Sequence, residues 1–143
     1  MLPSYTALLQ GHRWYCARHG IRYTDQALEE AQLAITRARL TAAALAAGHE
    51  RDEPAALLFA LTIEAPSLGE VWIAFPMVVL RNYARRALGV QLVLDAGDAA
   101  ALHALRVRIA DERAVFAAAG QLERRATFEE LRVFIARRMR PLP

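Results

Sequence analysis

Apolar residues recur along most of this chain at alternating steps of three and four, the period of an amphipathic helix. The clearest case begins behind Thr24 and Asp25, both capping types. Leu28, Ala31, Ile35, Ala38, Ala42 and Leu45 form one stripe that ends at Gly48. Leu33, Leu40, Ala44 and Ala47 make a second apolar row beside it. Two such rows predict a central helix that packs on more than one neighbour, its alanines permitting close approach. Upstream, Ser4 can cap a first helix to about Arg18, and Gly20 offers the left-handed residue that closes it.

Downstream, His49 to Glu53 is polar, and Pro54 stands where the first residue of a third helix carrying Leu57, Leu58 and Leu61 would be. Ser67-Leu68-Gly69-Glu70 has the spacing of a capping box. It predicts a fourth helix through the apolar run Val71 to Leu80, kinked at Pro76 and closed at Gly89. The rival reading pairs Leu61 to Ala65 with Val71 to Phe75 as a short β-hairpin around the Pro-Ser-Leu-Gly turn, the helix starting only at Pro76. Val90 to Leu94 favours strand as a connector or edge segment. Asp98 is expected to cap a fifth helix with Leu102, Leu105 and Ile109 on one side, running at least to Ala110. Thr127-Phe128-Glu129-Glu130 predicts a second capping box, opening a last helix with Leu131, Phe134 and Ile135 inward and Pro141 as its stop. The pattern as a whole predicts an all-α fold: one compact domain of about six helices over residues 1–143, with no internal repeat.

Composition narrows the class. The chain is 55% hydrophobic and 23% charged with seven glycines and six prolines, which excludes a disordered or low-complexity polymer. All eighteen of its basic residues are arginine and thirty residues are alanine, a bias that fits a GC-rich coding genome better than a demand of the fold. A single cysteine, Cys16, cannot form an internal disulfide and points to a reducing compartment, so a cytoplasmic location is expected. The net charge of +3 is a weak pull toward acidic partners. The longest apolar run, Val71 to Leu80, is half the length a bilayer requires and contains Pro76, and no signal peptide is read at the N-terminus.

Chemistry could reside in three places. The loop from Glu64 to Glu70 enters a predicted helix with backbone N–H groups and the positive dipole end outward, an arrangement suited to a phosphate or nucleotide, with Ser67 and Trp72 beside it. Ser67 and Glu70 could equally satisfy those donors themselves as an ordinary cap. The second place is His12, Cys16 and His19, at i, i+4 and i+7. The spacing suits a shared metal or a thiol with a histidine base, but no second Cys/His cluster follows and only His49 and His103 remain elsewhere. With Trp14, Tyr15 and Tyr23 close by, the histidines also suggest a pocket for a small molecule, whereas Cys16 alone reads as a small buried hydrophobe. The third comprises Arg81, Arg85 and Arg86, and Arg132, Arg137, Arg138 and Arg140. They could meet phosphates, but no nucleic-acid-binding signature accompanies them, and arginines favour helix ends for dipole reasons alone.

The order of elements from Ala55-Ala56-Leu57-Leu58-Phe59-Ala60-Leu61, through a loop holding Pro66, to a long helix closing at Gly89 before Val90-Gln91-Leu92, resembles the Fic/Doc family over about Ala55 to Met139. The resemblance implies a Fic/Doc-like arrangement of helices and a nucleotide-binding loop after the first of them. It does not extend to the catalytic motif. Ala65 stands where the family's base histidine falls, Pro66 is kept, Ser67 replaces a phenylalanine, Gly69 falls near the acidic position, and Val71, Trp72 and Ile73 leave no asparagine or arginine. The expectation is a repurposed or inactive relative that binds a nucleotide or phosphate-bearing ligand at Glu64 to Glu70, with no assigned catalytic residue and no cofactor implied. Two alternatives stand beside it. One is a helical interaction module, a homodimer or partner-binding protein using exposed parts of Val71 to Leu80. The other is a small-molecule enzyme or binding protein with its pocket at His12 to Tyr23.

Overall fold

Helix α3, Glu53–Glu64, is the axis of the structure, and every residue from Glu53 through Thr62 is buried. A helix apolar on all sides can be stable only with neighbours on all sides. Here α2 (Asp25–Ala46), α4 (Ala96–Ala119) and α5 (Ala126–Ala136) supply them, while α1 (Tyr5–Arg18) packs across α2. The computed structural model describes residues 2–64, 80–119 and 126–143. Over these residues the chain is a mostly α-helical single domain, and none of its helices is long and apolar enough to cross a membrane.

Sequence signals account for most helix ends. Ser4 Oγ accepts from the Ala7 N–H at 3.1 Å and Thr24 Oγ1 from the Ala27 N–H at 3.1 Å, so the predicted caps of α1 and α2 are the observed ones. Gly20, at φ 66°, closes α1 in a Schellman turn in which the Ile21 N–H reaches back to the Cys16 carbonyl at 2.8 Å. Residues 80–83 are helical and run into a π-helical turn, Ala84–Leu88, closed as expected at Gly89 with φ 64°. The predicted core stripe of α2 is buried from Ala31 to Leu45, and Leu102, Leu105 and Ile109 of α4 face inward.

Five expectations are corrected. The centre is α3 and not α2, because the second row of α2 lies in solvent: Leu33 is 53% and Leu40 70% exposed, and Ala44 and Ala47 are exposed with them. A 3-10 turn, Glu50–Asp52, leads into α3, so Pro54 takes the second helical position. Asp98 is not the N-cap of α4 but its third residue. Asp95 and Asp98 each accept the other's backbone N–H, at 2.8 and 3.1 Å, forming a reciprocal capping box one turn earlier. Thr127 is buried inside α5, where its hydroxyl donates to Glu112 Oε2 of α4 at 2.7 Å. Finally, α5 ends at Ala136, well before Pro141, although Leu131 and Ile135 are buried as expected and Phe134, half-buried, packs against the core.

Pro141 belongs instead to a strand. β1, Val90–Leu92, pairs antiparallel with β2, Met139–Pro141, in the register Val90 to Pro141 and Leu92 to Met139. Proline is tolerated on such an edge because it lacks only a donor. Val90, Leu92 and Met139 close one end of the core. Phe59 of α3 meets Phe128 of α5 edge to face, ring centroids 5.5 Å apart. The predicted loop 65–70, the hairpin or helix over 61–75 beyond Glu64, and the kink at Pro76 lie outside the described residues.

Candidate functional site

Leu8, His12 and Cys16 follow one another at single-turn spacing on the buried face of α1. The Schellman turn at Gly20 then folds the chain back, so that Ile21, Arg22 and Tyr23 run along the same face toward the start of α2. The opposing wall is α2. Its residues there are Ala27, Ala31 and Ala34, at i, i+4 and i+7, and their side chains are single methyl groups. Rings on one side and methyls on the other leave an open pocket of about 220 Å³, walled by His12, Tyr15, Cys16 and Tyr23, with Glu30 and Arg22 also in its lining.

The polar groups of this pocket form a chain. His12 Nδ1 is 3.2 Å from the Tyr23 hydroxyl, and His12 Nε2 is 3.6 Å from Cys16 Sγ. The chain can be polarised in either direction. In one, the thiol donates to Nε2 and Nδ1–H donates to the tyrosine oxygen, whose own hydrogen remains to donate elsewhere. In the other, the tyrosine donates to Nδ1 and Nε2–H points to sulfur. Burial sets the charge state. It holds the His12 imidazole below its ordinary range and pushes both the Cys16 thiol and the Tyr23 phenol up, the latter also by the neighbouring Cys16. Cys16 also lies in the last turn of α1, where the helix dipole disfavours a thiolate. At neutral pH the pocket therefore presents an uncharged thiol, imidazole and phenol.

That electrostatic state decides among the chemical readings. The structure turns Cys16 and His12 toward each other, with Tyr23 on the far ring nitrogen in the position of an orienting third group. Burial nevertheless raises the Cys16 thiol, opposite to the lowered pKa that commonly marks a reactive cysteine. A metal centre is likewise not built: among the described residues no group of three or more His, Cys, Asp or Glu comes together. His19 caps the end of α1 and is exposed, its ring stacked 4.3 Å from that of Tyr15 outside the pocket lining. Trp14 points away, 51% exposed beneath the Arg18 guanidinium. Of the aromatic and histidine cluster, then, His12, Tyr15 and Tyr23 converge, while Trp14 and His19 do not. The alanine wall of α2 is the part that residue-type reasoning passed over, although three alanines on one flank of a helix are visible in the sequence.

Of the residues assigned to the predicted anion loop, Glu64 is described, whereas Ser67, Glu70 and Trp72 lie outside the described residues. Glu64 closes α3, and its carboxylate accepts from Thr41 Oγ1 of α2 at 3.2 Å, which ties it to a neighbouring helix. Leu80, the one described residue of the run proposed as an exposed contact, is fully buried. The arginine clusters divide. Arg81, Arg85 and Arg86 are exposed. Arg132 bridges Glu129 at 2.9 Å and Asp52 at 3.8 Å, and Arg138 pairs with Asp98 at 2.8 Å. No protein-family model, curated protein or solved structure matches the chain. The resemblance to Fic/Doc thus rests on the order of elements that suggested it.

Proposed function

We propose that this protein binds a small, uncharged organic molecule, one ring with a single polar substituent, in the pocket between α1 and α2. The observation that carries the reading is the His12 imidazole, buried and held between Tyr23 and Cys16 in the wall of an otherwise largely apolar hollow. Specific pockets commonly have this composition, with an apolar lining and a few convergent polar groups that fix orientation. Size agrees, since an apolar cavity of roughly 150 Å³ suffices for benzene and this pocket offers about 220 Å³. Charge agrees as well. The two charged residues of the lining, Arg22 and Glu30, are exposed and of opposite sign, so an ion at His12, Cys16 and Tyr23 would lose hydration without meeting an opposite charge there. The reading is one of binding, because burial raises the Cys16 thiol and so favours its weakly nucleophilic protonated form.

The test compares phenol with toluene as probes, by thermal shift and by titration of the tyrosine and tryptophan emission. Phenol is expected to stabilise the fold in a concentration-dependent manner and more strongly than toluene. Ala34→Leu, which fills the hollow from the α2 side, should abolish the effect while retaining the helical circular dichroism. An equal response in Ala34→Leu, or no response to either probe, would overturn the reading.

A further inference from the structure

The exposed row of α2 has a charge order that its apolar residues alone do not reveal. Glu29, Leu33 and Arg37 stand at i, i+4 and i+8, one continuous ridge of acid, leucine and base, with Leu40 a further three residues on. All four side chains are exposed. Glu29 and Arg37 have no ion-pair partner among the described residues. Nor can they meet each other, since eight residues of helix separate them by about 12 Å. Leu33 and Leu40, seven apart, have the spacing at which one helix meets another.

We infer that this face joins two copies of the chain, α2 against α2, antiparallel about a two-fold axis through Leu33. In that arrangement residue 33 minus n faces residue 33 plus n of the second copy. Leu33 then meets Leu33, and Glu29 of each copy meets Arg37 of the other, so that the pair forms twice by symmetry. Leu40 packs on the aliphatic stem of Gln26 from the second copy. A parallel pairing would set Glu29 on Glu29 and Arg37 on Arg37, which like-charge repulsion disfavours. Self-complementarity is what distinguishes this face from a generic apolar patch. A ridge reading acid, leucine, base is its own antiparallel complement, whereas a surface evolved for an unrelated partner has no need of that symmetry. The core-facing stripe of α2 is untouched by the pairing, and the pocket of His12 and Tyr23 lies on another flank of the helix, while Leu40 at the end of the ridge also borders a shallow hollow with Leu2 and Tyr5.

The experiment is sedimentation velocity on the full chain across a wide concentration range, with circular dichroism as the control for folding. The wild type is expected to show a monomer–dimer equilibrium that weakens with added salt. Leu33→Asp should be monomeric, its fold intact because the side chain it replaces is exposed. Glu29→Arg and Arg37→Glu, each placing like charges opposite one another twice, should weaken the dimer by about tenfold. The double variant, Glu29→Arg with Arg37→Glu, should regain wild-type association. That recovery is specific to the antiparallel register. A wild type monomeric at every concentration, a dimer indifferent to Leu33→Asp, or a double variant no better than the single ones would each overturn the inference.

Discussion

Cys16 Sγ lies 3.6 Å from Nε2 of His12, one helical turn away, and both atoms belong to the wall of the same pocket. In a cysteine enzyme this proximity would signify proton transfer to the imidazole. Here burial moves the two pKa values apart in the unhelpful direction, the thiol up and the imidazole down, so the proton stays on sulfur. The pair is a neutral polar contact inside an apolar wall.

Cys16 should accordingly be a slow thiol. Its reaction with an aromatic disulfide reagent at neutral pH is expected to run at least about tenfold more slowly in the native protein than in urea, where the thiol regains its ordinary pKa and full access. Adding phenol should slow it further if the pocket is occupied. A native rate equal to the unfolded rate would show an accessible thiolate and return the nucleophile reading to consideration.

His12 sets a pH dependence whose sign follows from its burial. Its folded pKa lies below the ordinary value of 6.5, so around and below that pH the unfolded chain binds a proton that the folded chain does not. The stability associated with neutral His12 is fully present above the ordinary value and is lost as pH falls through the folded value. Urea unfolding of wild type and His12→Gln between neutral and mildly acidic pH should show a gap that narrows on acidification. A gap that widened would mean that His12 is stabilised in its charged form.

How far the sequence anticipated this site depends on what each residue needed for its placement. His12, Tyr15 and Tyr23 were identifiable because histidine and aromatic residues cluster within twelve positions, and Gly20 marked the turn that brings Tyr23 back. Trp14 shared that neighbourhood but falls on the exposed face of α1, and His19 is the exposed cap beyond its end, so proximity in sequence overstated the cluster. The central role of α3 was harder to see. Its ten consecutive buried residues have no polar face, hence no period to detect, whereas α2 advertised itself by a stripe. The strand pair was harder still: each strand is three residues long and the two are separated by two helices, so no local signal joins Val90 to Pro141. Thr127 was misplaced for a related reason. A capping box and a threonine that bonds a neighbouring helix have the same letters, and only the position of Glu112 on α4 distinguishes them.

Phe59 and Phe128 join the central helix to the last one, both fully buried and in edge-to-face contact. Phe128→Ala should cost about 3–5 kcal/mol, the range for removing a buried aromatic and leaving a cavity. Phe128→Leu, which keeps most of the volume but loses the ring contact, should cost distinctly less. Chemical denaturation of both variants checks the order. Similar losses would mean that the site collapses around the smaller side chain.

Arg138 lies with its guanidinium 3.5 Å from the Phe134 ring centroid, donates to the Phe134 carbonyl at 3.0 Å and pairs with Asp98 at 2.8 Å, so one side chain connects the segment before β2 to α5 and to the first turn of α4. Arg138→Lys keeps the charge but cannot reproduce the fork and the stacked plane together, and it should destabilise the protein measurably. The ion pair adds an acid dependence. Arg138 beside Asp98, reinforced by the Asp95 cap, holds the Asp98 carboxyl below the ordinary carboxylate range. That contribution is present above the unfolded carboxylate pKa of 3.8 and is lost as pH falls through the lower folded value. Asp98→Asn should therefore be less stable than wild type at neutral pH, and the two unfolding midpoints should converge as the solution is made strongly acidic, since the other carboxylates act equally on both. Midpoints that stayed equally far apart at every pH would show that Asp98 acts through the shape of its cap and not through its charge.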